Sequence, residues 1–383
     1  MRFLILLVLF TYCTPPTPKK IATIKQQKQI IKKPIDSILY KKIYRAFDSI
    51  LVKNKFNGQI LIAKDDNIIL DSCIGLADLK DSSKIVSETQ FHLASVSKTF
   101  TGMLCLKLYD EGKLHFDDFV TKYIPLFPYK KATIRQLLSH TSNLPDYSNF
   151  LTYEKKEYVK RTNIDQIKSM SEIELKYFTN KDIIDYMIKY VPSIAPNPNE
   201  EFHYCNTNYV TLAIIIEKIT NMNYPSAMKK YIFDKYGLKN TFVFNFNTLD
   251  KYIPSYKENS QEYGIEKFDL IYGDKNVYST SRDLLLWDKV LKSNDFLKNE
   301  TLRIAYEPKS KLTNENKTYG YGWRLVFPKG EEKIIYHNGW WHGNNTAFVR
   351  LIKENAVIII LGNKYNNYIY SHKKFVDVLR NAN

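Results

Sequence analysis

The sequence predicts an α/β fold of the α+β type, in which a mostly antiparallel sheet is flanked by helices and interrupted by an inserted, mainly helical region. Three observations support this prediction. A helix-like segment and a strand hairpin come first, within residues 36–73. Helical segments and loops rich in Pro and Asn then fill residues 112–300. Strand-like apolar runs return after Tyr319, so both ends of the chain are expected to build one layered domain.

Each element follows from its residue pattern. Residues 36–52 have apolar side chains at helical spacing. Two apolar runs, 58–64 and 68–73, flank an Asp-Asp-Asn turn and predict a β-hairpin. A helical pattern covers residues 95–109, and a closing helix covers residues 368–379. Between these two helices, four runs predict strands: YGYGWRLVF, EKIIYHN, NTAFVRLI and NAVIIILG.

These elements suggest two domains within one globular chain. We expect an α/β domain made of residues 36–115 and 301–383, and a helical domain made of residues 116–300. The 383 residues are 44% hydrophobic and 25% charged, which are ordinary values for a folded protein and exclude a disordered chain. No apolar run reaches the ~20 residues that a membrane-spanning helix needs, which excludes a polytopic membrane protein.

The charge and the cysteines restrict the function further. The net charge is +16, from 56 Lys and Arg against 40 Asp and Glu. The positive charge is mostly lysine, evenly spread, which favours a solvated surface, or a contact with the cell envelope, over a nucleic-acid site. The four cysteines have no metal-ligand spacing, so we expect no bound metal. We also expect no other cofactor and, from the even spread of lysines, no nucleic-acid partner.

The N-terminus has the pattern of an export signal. Residues 3–10 (FLILLVLF) follow Met1-Arg2, and Cys13 comes shortly after them. An apolar run of this length is typical of a signal peptide, and the cysteine resembles the lipidation site of a bacterial lipoprotein. Tyr12 stands where that motif has Gly or Ala, so ordinary export is the alternative. We predict a signal peptide over residues 1–13, a tether over 14–35, and a lipid-anchored protein of the bacterial cell envelope.

Ser95 and Lys98 form a Ser-x-x-Lys tetrad at the start of a long helical pattern. Residues three apart share one face of a helix, so the hydroxyl and the amine are expected to be neighbours. A serine hydroxyl is a weak nucleophile until an adjacent base takes its proton, and Lys98 can be that base. Two other tetrads, 226–229 and 371–374, open no such helix and are interpreted as solvated surface residues.

Tyr204 and Asn206 form a Tyr-x-Asn motif between a loop rich in Pro and Asn and a strongly apolar helix-like run. A tyrosine beside a lysine can shuttle a proton, and an asparagine amide can act as donor and acceptor toward a substrate. A second Tyr-x-Asn, at 147–149, also follows Ser95 in a loop. Tyr147 is therefore the alternative proton shuttle.

His337 and Gly339 form the single His-x-Gly of the chain, at the end of an apolar run, and Trp340 and Trp341 follow. A strand edge that ends in glycine lets a ligand approach the backbone closely. We predict that His337 and Gly339 contact substrate and that the N–H of Trp340 completes an oxyanion hole with that of Ser95. A structural histidine at a strand end is the alternative.

The three motifs, in this order, resemble the serine β-lactamases and penicillin-binding proteins, and most of all the branch of class C β-lactamases, D,D-carboxypeptidases and esterases. The resemblance extends over residues 37–380. It includes four connecting segments: TIRQLLSHTSNLPDY (133–147), VYSTSRDLLLW (277–287), YGYGW (319–323) and LGNK (361–364).

The resemblance assigns a role to each motif residue. It implies that Ser95 would be acylated, that Lys98 would be its proton partner, and that Tyr204 would act as general base and acid. Asn206 would bind a substrate amide, and His337 would stand where the lactamases usually have lysine. The family fold is a mostly antiparallel sheet beside an all-helical region, with the site in the cleft between them.

The leading functional hypothesis is a serine hydrolase that acts through an acyl-enzyme on ester, amide or D-amino-acid peptide bonds, including those of peptidoglycan fragments. The alternatives are a β-lactamase, or a non-hydrolytic penicillin-binding sensor or peptidoglycan-binding lipoprotein. Because His337 replaces a lysine and two tryptophans add bulk, we predict a preference for small esters or D-amino-acid peptides over β-lactams. We also predict that activity toward carboxylates rises as pH falls enough to protonate His337.

Overall fold

The computed structural model describes residues 37–150, 177–193, 201–311, 313 and 315–381, all within one unit, Ile35–Asn383. The predicted signal peptide, Cys13 and the whole of the predicted tether lie outside the described residues. The described α-helices are α1 (Ser37–Ile50), α2 (Ser97–Asp110), α3 (Ile134–Ser139), α4 (Asn180–Tyr190), α5 (Asn206–Thr220), α6 (Tyr224–Met228), α7 (Asp234–Tyr236), α8 (Ser281–Lys292), α9 (Asn299–Ala305) and α10 (Lys373–Arg380).

The described strands are β1 (Gly58–Lys64), β2 (Asn67–Ile74), β3 (Phe91–His92), β4 (Phe242–Val243), β5 (Ser255–Tyr256), β6 (Glu262–Tyr263), β7 (Val277–Ser279), β8 (Lys317–Tyr319), β9 (Arg324–Val326), β10 (Ile334–Trp341), β11 (Asn344–Leu351) and β12 (Ala356–Gly362). Short 3-10 helices include Ala94–Val96, Tyr147–Asn149 and Asn367–Tyr370. No described helix has both the length and the apolar character that crossing a membrane would require.

Seven strands form one antiparallel sheet in the spatial order β2-β1-β12-β11-β10-β9-β8. Strands from the two ends of the chain therefore share one sheet, joined where β1 pairs with β12 over its whole length. This confirms the predicted α/β fold with a mostly antiparallel sheet. The predicted hairpin is confirmed too: β1 and β2 are joined at Asp65 and Asp66, whose positive φ angles of 50° and 63° are typical of a tight hairpin turn.

The sheet is buried on both faces, which explains why its strands have continuous apolar runs. On one face, alternate residues of β1 and β12 pack with the apolar sides of α1 and α10 in one cluster. On the other face, the intervening residues belong to the main core, with α2 and α8. A strand covered by helices on both faces loses the alternation of polar and apolar residues, and β12 (AVIIILG) has this pattern.

A second, three-stranded sheet in the order β3-β7-β4 connects the helical region to the segment that leads into α2. Phe91 pairs with Ser279 and His92 with Tyr278. The sequence did not predict these strands, because each has only two or three residues and shows no period. Their pairing brings residues 274–277 close to Ser95. The division of the chain at residues 115 and 300 remains a prediction.

Two predicted elements are interrupted in the structure. The run 319–327 is divided between β8 and β9 by a turn in which Gly322 has φ +84°. A Cβ on Gly322 would lie 3.1 Å from the main-chain oxygen of Lys98, so this turn packs closely against α2. The predicted closing helix is divided into the 3-10 helix Asn367–Tyr370 and α10.

Strand β10 has one free edge near its C-terminal end. It pairs with β11 over Ile335–Trp341, but with β9 only over Ile334–Tyr336. Within the described part of the chain, residues 337–341 therefore have no strand partner on the β9 side. An unpaired edge presents backbone donors and acceptors to other groups.

Candidate active site

An open cavity of about 480 Å³ lies beside the free edge of β10. Five of the residues predicted to form the site line it: Ser95, Tyr204, Asn206, Gly339 and Trp340. They come from three separated parts of the chain, which the two sheets and the start of α5 bring together. The structure therefore assembles most of the predicted site in one place.

Ser95 lies in the 3-10 turn Ala94–Val96, between β3 and α2. The preceding residue, Ala94, has φ +49°, a conformation that is strained for a residue with a Cβ. Its N–H donates to Nδ1 of His92 at 3.0 Å, which helps to hold the turn. The strained turn leaves Ser95 half-buried at the cavity wall, where its hydroxyl can meet a substrate.

The side chain of Lys98 is fully buried behind Ser95. Its Nζ donates to Ser95 Oγ at 3.0 Å, to Asn206 Oδ1 at 2.8 Å and to the main-chain oxygen of Asp274 at 3.0 Å. An ammonium group has three N–H donors, and all three have acceptors here. This geometry fixes the amine beside the serine hydroxyl, as the Ser-x-x-Lys spacing predicts.

Tyr204 lies between two cationic side chains. The Nζ of Lys98 is 4.9 Å from the centroid of its ring, and the Cζ of Arg324 is also 4.9 Å from it. Cations at this distance from an aromatic face are attracted to it. The ring of the half-buried tyrosine is therefore held next to the amine that contacts Ser95, and its role as a proton shuttle remains a prediction.

Asn206 is the first residue of α5, and its N–H donates to Oδ2 of Asp146 at 2.7 Å. Its side-chain oxygen accepts a hydrogen bond from Lys98, so the amide nitrogen is the part that remains available for a ligand. Asn206 can therefore offer a ligand a donor rather than an acceptor, and its role in binding a substrate amide remains a prediction.

Tyr147, the alternative shuttle, has different surroundings. Its hydroxyl donates to Asp274 Oδ2 at 2.7 Å and accepts from Lys275 Nζ at 2.7 Å. Burial, together with the charge of Asp274, raises the pKa of Tyr147 well above its ordinary value. It is not among the residues that line the cavity, so the geometry favours Tyr204.

His337 is fully buried and is not among the residues that line the cavity. Its Nδ1 lies 2.7 Å from the main-chain oxygen of Asn338, and its Nε2 lies 3.0 Å from the hydroxyl of Tyr319. A carbonyl oxygen only accepts, so Nδ1 carries the proton and Nε2 accepts from Tyr319. Burial first, and then the charges of Arg324 and Lys98, lower the pKa of His337 well below its ordinary value.

This environment opposes the protonation of His337 that was expected to raise activity toward carboxylates as pH falls. The ring stays neutral because positive charges and burial both oppose protonation. Direct contact of His337 with substrate has no geometric support. Arg324, in the neighbouring strand β9, supplies a positive charge at the cavity wall.

Gly339 and the tryptophans line the cavity at the free edge of β10. A Cβ on Gly339 would lie 2.3 Å from the oxygen of Leu93 and 2.2 Å from Oγ1 of Thr346, so only glycine allows this strand to approach the serine turn. Trp340 is 61% exposed at the rim of the cavity. Trp341 is held by a hydrogen bond of 2.7 Å from its Nε1 to Asp269 Oδ1. The oxyanion role of the Trp340 N–H remains a prediction.

Sequence reasoning missed three charged residues in the cavity wall: Asp274, Lys275 and Arg324. The first two lie three and two residues before the segment VYSTSRDLLLW, and Arg324 directly follows YGYGW, so all three lie near segments that carried the family resemblance. Their proximity to those segments is the signal that could have identified them. In the part of the chain that the structure describes, no group of three or more His, Cys, Asp or Glu could hold a metal ion.

Comparison with known proteins agrees with this geometry. The sequence model of the Beta-lactamase family matches residues 52–371. The chain is also 31% identical, over 346 residues, to penicillin-binding protein 4* of Bacillus subtilis, covering 86% of this chain and 73% of that protein.

Two solved structures share the fold. One is a penicillin-binding protein from Bacillus halodurans, with a TM-score of 0.74, 21% identity, and coverage of 87% of this chain and 98% of that chain. The other is a D-amino acid amidase from Ochrobactrum anthropi, with a TM-score of 0.71, 19% identity, and coverage of 91% and 100%. At these identities, the similarity concerns the fold alone.

Proposed function

This chain belongs to the Beta-lactamase family, and on that basis we propose that it is a serine hydrolase that works through an acyl-enzyme on ester, amide or D-amino-acid peptide bonds. One observation carries the proposal. The Nζ of Lys98 lies 3.0 Å from Ser95 Oγ and 2.8 Å from Asn206 Oδ1, with the ring of Tyr204 beside it. These residues are the parts that an acyl transfer to serine requires.

The proposed reaction has two steps. In the first, Ser95 Oγ attacks the substrate carbonyl, and its proton passes to the pair formed by Lys98 and Tyr204. The bond to the leaving group breaks as that pair returns a proton to it, which leaves an ester between Ser95 and the acyl group. In the second step, water attacks that ester, the same pair takes the proton of the water, and the acid is released.

Arg324 supports a carboxylate-bearing substrate. Its guanidinium lines the cavity and contacts the ring of Tyr204, and it has no hydrogen bond to any described residue. A guanidinium binds a carboxylate through two parallel N–H donors. Because Tyr204 is the proposed proton donor to the leaving group, Arg324 is placed to bind a carboxylate on that leaving part. A D-amino acid released from the C-terminus of a peptide carries such a group.

The family relationship also supports a role at the cell envelope, where peptidoglycan fragments would be substrates. Two sequence features agree with this location, namely the signal-like residues 3–10 and Cys13. Lipid attachment at Cys13 belongs to the proposal, and its test is given below.

Labelling and turnover test the proposal together. A fluorophosphonate should label the protein at Ser95, and p-nitrophenyl acetate should be hydrolysed over many turnovers. Ser95→Ala should lose the label and several orders of magnitude in rate. Labelling at Ser226 or Ser371, in the other two tetrads, would contradict the choice of nucleophile. A burst that stops after one equivalent would instead identify a non-hydrolytic sensor.

A further inference from the structure

Lys275 is a second lysine in the wall of the cavity, and it has no part in the reaction described above. We propose that Lys275 binds a carboxylate on the acyl part of the substrate, the part that becomes attached to Ser95. The substrate class would then be acyl compounds with an acidic side chain or an acidic far end. This inference rests on the proposed function and names its substrate more closely.

The placement of Lys275 follows from the small sheet. It lies two residues before β7, and β7 pairs with β3, the strand that leads into the serine turn. The main-chain oxygen of the adjacent residue, Asp274, accepts from Lys98. Lys275 therefore belongs to the same rigid assembly as the nucleophile, although the two are far apart in sequence.

The contacts of Lys275 leave its ammonium group only partly satisfied. The side chain is 3% exposed. Its Nζ makes one hydrogen bond to a described residue, 2.7 Å to the hydroxyl of Tyr147, and it lies 4.7 Å from the ring centroid of Trp341. The Asp274 carboxylate is 3.8 Å away, which exceeds hydrogen-bond distance.

A buried donor without an acceptor costs free energy, which is recovered when an acceptor enters. Burial lowers the pKa of Lys275, whereas the charges of Asp274, Asp269 and Asp146 act in the opposite direction. Among the charged residues that line the cavity, two are cationic, Lys275 and Arg324, and one is anionic, Asp274. Asp274 Oδ2 accepts from Tyr147, whereas its Oδ1 has no hydrogen-bond partner among the described residues. The two cations outnumber this one anion, so the net charge of the wall favours an anionic ligand.

The two cationic groups serve different parts of the substrate. Arg324 contacts the ring of Tyr204, the proposed proton donor to the leaving group. Lys275 shares no described contact with Arg324: its neighbours are Tyr147, Asp274 and Trp341. We therefore assign Arg324 to the leaving part and Lys275 to the acyl part.

The experiment uses esters with one leaving group. The mono-p-nitrophenyl esters of adipic, pimelic and suberic acid are compared with p-nitrophenyl hexanoate, heptanoate and octanoate, after correction for spontaneous hydrolysis. Each pair has the same chain length and differs by the terminal carboxylate. We expect the best acidic ester to exceed its neutral match at least tenfold in kcat/KM. Lys275→Met should reduce that ratio to near one.

Two control variants locate the effect. Lys329→Met removes an exposed lysine outside the cavity and should keep the ratio of the unmodified protein. Arg324→Met should also keep the ratio of kcat/KM between the acidic and neutral esters. Arg324 is assigned to the leaving part, and the leaving group of every ester used, p-nitrophenol, carries no carboxylate. A ratio that falls in Arg324→Met but not in Lys275→Met would overturn the assignment of the two sides.

The unmodified protein gives a result that does not depend on how the variants fold. A ratio near one for all three pairs overturns the role of Lys275 while leaving the proposed function intact, since the neutral esters would still report acyl transfer. Failure of both ester series, with no fluorophosphonate label on Ser95, overturns the proposed function and this inference with it.

Discussion

The guanidinium of Arg324 lies over the ring of Tyr204, with its Cζ 4.9 Å from the ring centroid. Arg324 is the first residue of β9, directly after the turn that separates β8 from β9, and Tyr204 directly precedes the N-cap residue of α5. The contact therefore connects the edge of the main sheet to the helical region across the cavity. It places a fixed positive charge beside the proposed proton donor.

Arg324→Gln should weaken the use of substrates that carry a carboxylate on the leaving part. Hydrogen bonds to charged groups contribute about 1.5–3 kcal/mol, so kcat/KM for a D-alanyl-D-alanine peptide should fall roughly tenfold to a hundredfold. The same peptide with a methyl ester at its C-terminus is the neutral comparison, and it should lose much less. An equal loss for both peptides would show that Arg324 acts only through Tyr204.

Tyr204→Phe should lower kcat by about 10²–10⁴, because it removes the proton-carrying hydroxyl and keeps the ring between Lys98 and Arg324. Tyr147→Phe is the matched variant. It removes the group that joins Lys275 to Asp274, and the free energy of unfolding should fall by about 1–3 kcal/mol. Steady-state kinetics and urea denaturation separate the two effects. Near-normal turnover in Tyr204→Phe would show that a residue other than Tyr204 shuttles the proton.

Gly339→Ala should damage both stability and activity. Its Cβ would meet the backbone of Leu93 at 2.3 Å, so β10 and the serine turn must move apart. Overpacking of this kind costs about 1–3 kcal/mol. Gly264→Ala is the control, because nothing lies within 4 Å of a Cβ built there. Thermal unfolding and kcat of the two variants should differ clearly, and equal values would contradict the close approach.

Acid should destabilise the protein through buried histidines such as His92. Burial, the leading cause, lowers the pKa of His92 from 6.5 to about 4. Between these values the unfolded chain binds a proton that the folded protein does not, so stability falls as pH falls through this window. The loss approaches about 1.4 kcal/mol per pH unit, and His92 adds nothing further below its folded pKa.

His92→Asn tests this, because asparagine keeps an acceptor for the Ala94 N–H and does not titrate. Urea denaturation at several pH values between 6.5 and 4 should show a shallower slope than in the unmodified protein. A slope that His92→Asn does not alter would mean that the ring is already protonated in the folded state.

Cys13 should be lipidated after cleavage of the signal peptide. Expression of the full-length chain in a bacterial host, followed by mass measurement of its N-terminal peptide, checks this prediction. We expect a peptide that begins with a diacylglyceryl cysteine, and Cys13→Ser should release the protein from the membrane fraction. Soluble protein that begins downstream of Cys13 would favour ordinary export without lipid attachment. That alternative arises because Tyr12 stands where the lipoprotein motif has Gly or Ala.

The motifs of the site were predictable because their chemistry depends on short spacings. Ser95 and Lys98 are three residues apart, and Tyr204 and Asn206 two apart, so each pair follows from local geometry. The long strands were predictable for a similar reason, since β1 and β12 are unbroken apolar runs.

The charges of the cavity were not predictable in this way. The position of Arg324 depends on the turn at Gly322, and that of Lys275 on the pairing of β7 with β3. Both are contacts between residues distant in sequence, which no local pattern encodes. For His337 the motif was identified from the sequence, but its burial and its contact with Tyr319, which oppose protonation of the ring, depend on the fold.

The three acceptors of Lys98 also have a kinetic consequence. Asn206 and Asp274 follow Lys98 by 108 and 176 residues, so the amine acquires its native environment only after two long loops have closed. Contacts of such high sequence separation form late and slowly. During refolding, hydrolytic activity should therefore return after the far-ultraviolet circular dichroism of the helices. Recovery of hydrolytic activity would therefore mark the completion of tertiary folding, which the recovery of helical secondary structure does not.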